Sequence, residues 1–451
     1  MIRVIKNQIH KLQALLANIW YGYPAKDLKI IGVTGTDGKT TTVSMIYHIL
    51  KANGLKVGMI STIEVLIGDK SLDSGLHVTT PDPWVVPRYL RMMEKEGIGY
   101  VVLESTSNGL DQNRLAYIDF DAVTITNIRE DHLDYHGTWE KYAEAKFKLI
   151  EGLQEEGLAV LNQDDEKSAK WIAKKSNDLT QIVYAKWVAK HNLKNRKMTI
   201  KGLEFDFEGV HYVIPMLGEH NFENAIQAIA LCKRYLKGSQ IKDALVDFKA
   251  PAGRMQIMQS KPFGVIVDFA HTPNSLERAL ESVNSIKKQG ARVISLFGCA
   301  GKRDKGRRRM GAVSAKMADV TILTAEDPRD ELLEEVNNQI LKHAQKENAM
   351  LIERFPNRRL YEGAEIDELK NQVKKGWDDE MKPFFAFDEN SPRSREDAID
   401  LALRLAEKDD IVFITGKGHE KSLAFGVEEI EYPWSDQEVI RKKLGELAEE
   451  A

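Results

Sequence analysis

Residues 29–54 read KIIGVTGTDGKTTTVSMIYHILKANG, in which an apolar run is followed by a glycine turn and an amphipathic segment. This order predicts a buried strand, a loop and a helix that ends at Gly54. Glycines in such a loop let backbone N–H groups approach phosphate oxygens, and the start of the helix adds partial positive charge. We therefore predict a nucleotide-phosphate site. A tight turn between strand and helix, without a ligand, is the alternative.

The predicted phosphate loop departs from the strict pattern at one position, because Val33 stands where that pattern has glycine. Lys39 is placed to reach the terminal phosphates, and a threonine hydroxyl is placed to ligate magnesium. The residues predicted to hold the nucleotide phosphates are Gly35, Thr36, Asp37, Gly38, Lys39, Thr40 and Thr41.

The same strand, turn and helix pattern continues along the chain. The short apolar runs KIIGVTG, VGMIS, YVVLE and AVTITN end in polar or small residues, as the strands of a parallel sheet do. A second series begins after Pro251, with FGVIVDFA, ARVISLFG, DVTILTA and DIVFITG as its strands. The sequence therefore predicts an α/β protein. Its central phosphate-loop ATPase domain has a mainly parallel sheet, and a Rossmann-like α/β domain follows.

This pattern divides the chain into three predicted parts. Residues 1–28 are a short helical segment, residues 29–250 are the central domain and residues 251–451 are the C-terminal domain, with a linker near Phe248 to Gly253. The charge-rich stretch 346–382 is predicted to be irregular, either as an ordered insertion or as a loose lobe.

Composition excludes several classes of protein. The chain has 451 residues, with 64 Lys and Arg against 68 Asp and Glu, so a formal net charge of −4 gives no support for nucleic-acid binding. Cys232 and Cys299 cannot form a disulfide framework or a four-thiolate zinc site, which favours a cytoplasmic protein. No run reaches the ~20 apolar residues of a membrane span. We expect no nucleic-acid partner and no membrane association.

Glu104 ends the apolar run YVVLE. If this strand lies beside KIIGV, the carboxylate lies next to the phosphate loop, where a hard oxygen ligand suits magnesium. A glutamate in solvent at the end of a strand is the alternative.

A helix is predicted from Thr138 onward, with Lys148 and Glu144 facing outward. Its apolar face, at spacings of three and four residues, contains Tyr142, Lys146, Leu149 and Ile150. A lysine on an apolar face either extends its ammonium to solvent or is desolvated, which favours the neutral amine. A neutral lysine amine can add carbon dioxide. The carbamate of Lys146 would be a carboxylate-like metal ligand, which nearby His132 could join.

Several segments occur in an order that resembles a known family. They are WYGYPAKDLKIIGVTGTDGKTTT, TTPDP, ESTSNGLDQNRL, TNIREDHLDYHGTWEKYAEAK, GEHNFENA, GRMQ, DFAHTPNSL, FGCAGKRDKGRRRMG, EDPR and TGKGHE. Over the range from Trp20 to about Leu444 the chain resembles the ATP-dependent Mur ligases. It most closely resembles the branch that adds the third residue to the UDP-N-acetylmuramoyl peptide. Independent motifs in register are more specific than any one of them.

The resemblance implies an ATP-dependent ligase with two magnesium ions. Thr40 and Glu104 would bind one ion, and His132 with carbamoylated Lys146 would bind the second. The catalytic residues implied in this way are Lys39, Glu104, His132 and Lys146. The further positions implied to contact the nucleotide are Asn221 and Asn224, at the adenine, and Arg254 and Asp268.

The resemblance also implies positions for the two other substrates. The acceptor would contact Thr79, Thr80, Ser107 and Arg114. The incoming amino acid would contact Arg303, Asp327, Arg329, Gly416 and Glu420.

Two features depart from the family. Members of this branch carry an N-terminal domain that holds the UDP end of the acceptor, whereas about thirty residues precede the phosphate loop here. We therefore expect either a protein partner that supplies this surface or a different or smaller peptide acceptor. The family signature DNPR, associated with meso-diaminopimelate, reads EDPR, so Asp327 replaces an amide with an anion. A second anion would favour an amine-bearing amino acid, although Arg329 could still pair with a carboxylate.

The implied reaction is ATP-driven amide formation. The acceptor carboxylate takes the γ-phosphoryl group to form an acyl phosphate, and the amino group then displaces phosphate. Two alternatives stay open, a folylpolyglutamate-synthase-like ligase and a non-catalytic ATP-gated scaffold. The segments ESTSNGLDQNRL and GKGHE argue against the first, and the set of Lys39, Glu104, His132 and Lys146 argues against the second.

Overall fold

The computed structural model describes residues 2–62, 64–68, 70–73, 80–129, 131, 133–179, 183–302, 305–356 and 363–450. These residues form two structural units. The first contains Met1–Lys197, Leu203–Pro215 and His220–Lys249. The second contains Met198–Gly202, Met216–Glu219 and Ala250–Ala451.

The helices of the first unit alternate with its strands. The helices are α1 (Ile2–Trp20), α2 (Lys39–Ala52), α3 (Val85–Lys95), α4 (Ser107–Asp111), α5 (Leu133–His136), α6 (Trp139–Glu151), α7 (Glu166–Ser176), α8 (Asn221–Cys232) and α9 (Gly238–Leu245). The strands are β1 (Lys29–Thr34), β2 (Val57–Ile60), β3 (Glu64–Ile67), β4 (Lys70–Asp73), β5 (Tyr100–Glu104), β6 (Phe120–Ile125), β7 (Leu153–Asn162), β8 (Tyr184–Val188), β9 (Lys194–Thr199), β10 (Gly202–Phe207) and β11 (Val210–Ile214).

In the described residues, the main sheet of the first unit has the strand order β4-β3-β2-β5-β1-β6-β7-β8. Strands β2, β5, β1, β6, β7 and β8 are parallel to one another. Strand β3 pairs antiparallel with both β2 and β4 and so forms an antiparallel edge with β4. Strand β1 therefore lies between β5 and β6, and Val33 is paired with Glu104. This register confirms that Glu104 lies beside the start of the predicted phosphate loop. A second, smaller sheet has the order β11-β10-β9.

Helix α6 has the predicted start and the predicted buried face. The Thr138 hydroxyl accepts a hydrogen bond from the Lys141 backbone N–H and so caps the helix. The buried side chains include Tyr142, Lys146, Leu149 and Ile150. Lys148 is left out of this buried face, as predicted, but it is half-buried rather than fully exposed, because its Nζ donates to the Asp111 carbonyl at 3.1 Å. The carbonyls that end α4 attract this cation, which the spacing within α6 does not reveal.

The second unit repeats the alternation. Its helices are α10 (Pro273–Ile286), α11 (Met310–Met317), α12 (Leu333–Ala344), α13 (Gly363–Asp378), α14 (Arg393–Leu405) and α15 (Asp436–Glu450). Its strands are β12 (Gln256–Gln259), β13 (Gly264–Val267), β14 (Val293–Phe297), β15 (Val320–Leu323), β16 (Ala349–Phe355), β17 (Lys382–Phe387), β18 (Ile411–Ile414), β19 (Ser422–Phe425) and β20 (Ile430–Pro433).

Among the described residues, the main sheet of the second unit has the order β12-β13-β18-β14-β15-β17-β16. All neighbours in it are parallel except β12, which is antiparallel at the edge. Strand β18 lies between β13 and β14, so the loops after these three strands meet at one edge of the sheet. Ligands bind at such edges in open α/β sheets. Both sheets confirm the predicted α/β class with parallel sheets.

The charge-rich stretch from 346 to 382 is more regular than predicted. It contains strand β16 and helix α13, and it ends in β17. Helix α13 buries Ile366, Leu369 and Val373, which are spaced by three and four residues. This apolar stripe is present in the sequence, but the many charged residues around it concealed the helical period.

Among the helices that the structure describes, none is both long enough and apolar enough to cross a bilayer.

Candidate active site

The loop after β1 has glycine where two other segments approach its backbone most closely. A Cβ atom at Gly35 would lie 1.8 Å from the Thr126 Oγ1 atom, and one at Gly38 would lie 2.2 Å from the Asn224 Oδ1 atom. Gly38 also has a φ of +81°, which favours glycine. Helix α2 begins at the next residue, so the loop leads directly into a helix N-terminus, as the sequence predicts.

The two residues that follow strand β6 hold this loop by hydrogen bonds. The Thr126 hydroxyl donates to the Asp37 carbonyl at 2.6 Å, and the Asn127 side chain both donates to that carbonyl and accepts from the Asp37 N–H. Sequence reasoning missed Thr126 and Asn127. Their position directly after the apolar run AVTI was the available signal, because polar residues at the ends of parallel strands gather at one edge.

Lys39 is folded over the loop. Its Nζ atom donates to the carbonyls of Gly35 at 3.0 Å and Thr36 at 2.8 Å. These carbonyls belong to the segment that is predicted to hold phosphates. The Lys39 ammonium group would therefore be within reach of a terminal phosphate bound there.

Thr40 and Glu104 form a pair of oxygen donors beside the loop. The Thr40 hydroxyl donates to the Glu104 carboxylate at 3.1 Å, and Glu104 is buried with 1% exposure. Thr62, which the sequence analysis missed, donates to the same carboxylate through its hydroxyl at 2.8 Å and through its N–H at 3.2 Å. A buried carboxylate held by neutral donors next to a hydroxyl is a suitable ligand pair for Mg²⁺.

No three His, Cys, Asp or Glu side chains cluster as a metal cage within the described part of the chain. A phosphate-loop magnesium site does not need such a cage, because nucleotide phosphates and water supply most ligands. The Thr40 and Glu104 pair therefore fits Mg²⁺ better than it fits zinc.

Lys146 also contacts the loop, at the Gly35 carbonyl that Lys39 contacts. Its Nζ atom donates to the Gly35 carbonyl at 2.6 Å and lies 4.5 Å from the centre of the Tyr142 ring. Burial lowers the pKa of this amine well below its usual value, and the charge of Lys39 lowers it further; Asp131 and Asp37 act in the opposite direction. Lys146 is therefore buried beside Lys39 and is shifted toward its neutral amine form.

Two asparagines lie at the start of α8, and one of them approaches the same loop. Asn221 and Asn224 are both buried, and the Asn224 Nδ2 atom donates to the Asn221 Oδ1 atom at 2.7 Å. Asn224 also lies against Gly38. The structure thus brings Asn224 to the loop and Asn221 to Asn224, and the adenine contact implied for them stays a prediction.

The described acceptor residues surround the short helix α4. The Thr80 hydroxyl accepts from the Thr106 N–H at 2.8 Å, and Arg114 Nη1 donates to the Thr80 carbonyl at 2.8 Å. The Ser107 hydroxyl lies 3.1 Å from the Nε2 atom of buried His136. Thr80, Ser107 and Arg114 are therefore linked around one short helix, and His136 is a neighbour that the sequence analysis did not identify.

In the second unit, Arg254 and Asp268 lie at the end of β13. Both Asp268 oxygens accept backbone N–H groups, from Met255 and Ala270, at 2.8 Å. The Arg254 guanidinium lies 4.9 Å from the centre of the Phe269 ring. Its Nε atom is buried without a hydrogen-bond partner among the described residues. The Asp268 carboxylate is oriented by two backbone N–H groups, whereas the guanidinium retains a donor for a ligand, and the nucleotide contacts implied for both residues stay predictions.

His419 packs against the same phenylalanine, with ring centres 4.8 Å apart. Burial, Arg254, Lys417 and His271 together lower the pKa of His419 to about 4. The imidazole is therefore neutral at neutral pH.

The residues implied to receive the amino acid meet where β15 and β18 end. Both oxygens of Asp327 accept from Lys417 Nζ, at 2.9 and 3.0 Å, and one also accepts from the Ala424 N–H at 3.0 Å. Glu420 lies 2.5 Å from the same Nζ atom. The Asp327 anion expected from the sequence is therefore paired with Lys417, and the preference for an amine-bearing amino acid stays a prediction. The two residues are 90 positions apart, so the sequence could not show this pair.

Arg329 and Glu326 flank this ion pair. Arg329 Nη1 donates to the Gly301 carbonyl at 2.9 Å, and Arg329 Nε lies 3.4 Å from the Glu429 carboxylate. A Cβ atom at Gly416 would lie 3.0 Å from the Glu326 carboxylate, so glycine leaves room for that acid. Burial raises the pKa of Glu326 to about 8, against the opposing effect of Lys417. Glu326 and Glu429 were not predicted as part of this site.

Three predicted site residues, Thr79, His132 and Arg303, lie outside the described residues. Their proposed roles stay predictions.

Family models match both units of the chain. A model described as the Mur ligase middle domain matches residues 33–232, and one described as Mur ligase, glutamate ligase domain matches residues 253–372.

Similar proteins cover almost the whole chain. The UDP-N-acetylmuramoyl-L-alanyl-D-glutamate--2,6-diaminopimelate ligase 1 of Clostridium acetobutylicum is 32% identical over 448 residues, which cover 97% of this chain and 82% of that protein. The UDP-N-acetylmuramyl-tripeptide synthetase of Borreliella afzelii is 33% identical over 460 residues, which cover 100% and 83%. A solved structure of a UDP-N-acetylmuramoyl-L-alanyl-D-glutamate--2,6-diaminopimelate ligase has a TM-score of 0.66 at 25% identity, covering 97% and 83%.

Proposed function

The chain belongs to the Mur ligase family of ATP-dependent ligases, and we propose that it adds an amino acid to the carboxylate of a UDP-N-acetylmuramoyl-peptide-like acceptor. The names of its relatives support this acceptor class. The observation that carries the proposal is the meeting of Lys39 and Lys146 at the Gly35 carbonyl, beside the pair of Thr40 and Glu104. These four side chains place two amines and a pair of oxygen ligands at one predicted phosphate loop.

The reaction follows from this arrangement in two steps. An acceptor carboxylate oxygen attacks the γ-phosphorus of ATP, the bond from that phosphorus to the bridging oxygen breaks, and ADP leaves. The amino group then attacks the acyl carbon and loses a proton, and phosphate leaves with the electrons of the acyl C–O bond. Lys39 would turn from the loop carbonyls to the phosphates and stabilise the negative charge that is transferred.

The residues present fit magnesium. Once bound, the ion neutralises negative charge on the phosphates. Thr40 and Glu104 would hold it when the hydrogen bond between them opens, and Thr62 would keep the Glu104 carboxylate oriented. A second ion held by His132 and carbamoylated Lys146 is part of the proposal.

Lys146 is suited to carbamoylation. Its amine is buried, lies next to Lys39 and is shifted toward the neutral form that adds carbon dioxide. In the addition, Nζ bonds to the carbon of CO₂ and a proton leaves, which gives an anionic carbamate. The carbamate nitrogen keeps one N–H that can still donate to the Gly35 carbonyl. The carbamate anion would then be attracted by the Lys39 cation.

The other substrate positions stay proposals. The acceptor would lie near Thr80, Ser107 and Arg114, together with Thr79. The amino acid would lie near Arg329 and the loops after β14, β15 and β18, which include Arg303, Asp327, Gly416 and Glu420. Because the reaction consumes ATP, we propose a cytoplasmic location.

An ADP-release screen tests the function. Amino acids are combined with muramoyl-peptide acceptors that carry or lack UDP, and with folates. We expect ADP release only when an acceptor and an amino acid are both present. Turnover with folate acceptors alone would favour the folylpolyglutamate-synthase-like alternative, and ATP binding without turnover on any acceptor would favour the scaffold. Turnover that rises when a second protein is added would support the expected protein partner.

A rescue experiment tests the carbamate. Lys146→Ala should reduce turnover by about a thousandfold, because a charged group at the phosphoryl transfer site is lost, and short carboxylates should restore part of it. Exposed Lys141 lies on the same helix, and Lys141→Ala is the matched control. Full activity of Lys146→Ala without carboxylate would refute the carbamate and leave the ligase activity standing.

A further inference from the structure

Helix α1 presents large apolar side chains to solvent on the face opposite its packing face. Its packed face contains Ala14, Ala17 and Asn18, all buried, and Asn18 donates to the Ala14 carbonyl at 2.9 Å. The exposed side chains follow one another at helical spacing and are Ile9, Leu12, Leu16, Ile19 and Trp20. Trp20 is 77% exposed. A stripe of this width normally faces a partner or a core.

A cavity of about 370 Å³ continues this stripe at the end of α1. Ile19 and Trp20 line one side, and Met92 of helix α3 extends the apolar lining. The other lining residues include Arg88, Arg91 and Lys95, all on α3. The cavity therefore combines an apolar wall with three cationic side chains.

Cationic residues outnumber acidic residues around this surface. The sequence of α1 contains Arg3, Lys6 and Lys11 but no acidic residue. On α3, Arg91 is paired with Glu94, while Arg88 and Lys95 are exposed at the cavity. The whole chain has a formal net charge of −4, so this basic surface is a local feature that composition hides.

We propose that the α1 face, defined as Ile9, Leu12, Leu16, Ile19 and Trp20 with the adjoining cavity, docks on a bilayer that contains anionic phospholipids. The apolar side chains would enter the boundary between headgroups and acyl chains, and Trp20 would lie at the interface. Arg88 and Lys95 would contact lipid phosphate at the cavity. A single occupant then accounts for the stripe, the tryptophan, the cavity and the positive charge.

A second copy of the chain fits this surface less well. Pairing two α1 faces would bring two predominantly positive surfaces together, without acidic partners on the helix. The sequence expectation of no membrane association rested on the lack of an apolar span and of an overall basic excess. Docking on a surface needs neither of these, because only the packing of α1 decides which side chains stay exposed.

Vesicle sedimentation with the full chain tests the proposal. Vesicles of phosphatidylglycerol and phosphatidylcholine are compared with vesicles of phosphatidylcholine alone. We expect binding only to the anionic vesicles, weakened by salt. Leu12→Gln with Leu16→Gln should lower the partition constant about tenfold, because two apolar side chains are lost from the interface. Arg88→Gln with Lys95→Gln should lower it several-fold.

Matched control variants lie on other surfaces of the chain. Val427→Gln with Ile430→Gln removes exposed apolar side chains elsewhere, and Lys374→Gln with Lys375→Gln removes exposed cations. These controls should bind vesicles like the unaltered chain. Equal vesicle binding by the Leu12 and Leu16 variant, or no binding by the unaltered chain, would overturn the proposal. A dimer in solution that this variant dissociates would assign the surface to a second copy and would overturn it as well.

Discussion

Two buried lysines, Lys146 and Lys417, have the same exposure and opposite surroundings. Each side chain is 1% exposed. Lys146 donates to a backbone carbonyl and lies beside the cation Lys39, whereas Lys417 lies between the carboxylates of Asp327 and Glu420. Burial alone therefore does not determine what a lysine does. The neighbouring charges decide whether the amine is shifted toward a neutral nucleophile or is held as a structural cation.

The largest expected difference is between the free energies of unfolding of two variants, one at each lysine. Lys417→Met should lower the free energy of unfolding by about 3 kcal/mol, because it leaves the Asp327 carboxylate without its cation. Lys146→Met should change it by less than about 1 kcal/mol in bicarbonate-free buffer, because it removes a cation whose burial is already unfavourable. Urea unfolding of the two variants measures both values. Equal losses would show that the surroundings of the two lysines are energetically alike.

Glu326, beside Lys417, extends the comparison to a buried acid. The pKa of Glu326 is raised mainly by burial from 4.5 to about 8. Between these values the unfolded chain releases this proton and the folded chain retains it, so the stabilising contribution is present at low pH and is lost as pH rises toward 8.

Glu326→Gln keeps a neutral side chain at every pH. The unaltered chain loses free energy of unfolding as Glu326 ionises, and the variant does not. The difference in free energy of unfolding, variant minus unaltered chain, should therefore rise by on the order of 3 kcal/mol from pH 5 to pH 8. Thermal or urea unfolding at both pH values measures this change. A constant difference would mean that the folded chain ionises Glu326 at its ordinary pKa.

Asp327→Asn tests whether the ion pair selects the amino acid. The variant leaves Lys417 with fewer negative partners. An amino acid with a side-chain carboxylate should therefore gain about tenfold in kcat/KM, or ~1.4 kcal/mol, relative to one with a side-chain amine. The measurement is the ratio of kcat/KM for meso-diaminopimelate to that for lysine. The same ratio in both proteins would show that Asp327 has only a structural role.

Glu429→Gln is expected to have the smallest effect. Glu429 lies 3.4 Å from Arg329, and its side chain is 47% exposed, so solvent screens this ion pair. The KM for amino acids that carry a side-chain carboxylate should fall about threefold, because Arg329 loses an internal competitor. Exposed Glu428 provides the control Glu428→Gln. A KM that falls equally in both variants would assign the effect to net charge.

The chain itself reveals much of the nucleotide site, because the necessary signals are local. The glycines of the loop, the strand before it and the helix after it are consecutive, and the buried face of α6 follows from spacings of three and four residues. The register of β1 with β5 then confirms the position of Glu104.

Residues that act through distant partners could not be predicted in the same way. Thr62 and the adjacent pair Thr126 and Asn127 orient the site from two other segments, and no periodicity marks them. The pair of Lys417 and Asp327 joins two loops that meet only because β18 is inserted between β13 and β14. A local pattern carries no information about which distant segment becomes a neighbour.

The amino-acid sequence by itself determined the α/β class, the phosphate loop and the placement of Lys146 on a buried face, because each depends on residues close together along the chain. Only the tertiary structure decided the charge environments of Lys146 and Lys417 and the outward direction of the apolar face of α1. These features depend on which segments pack together, and electrostatic and hydrophobic interactions act through space without regard to sequence separation.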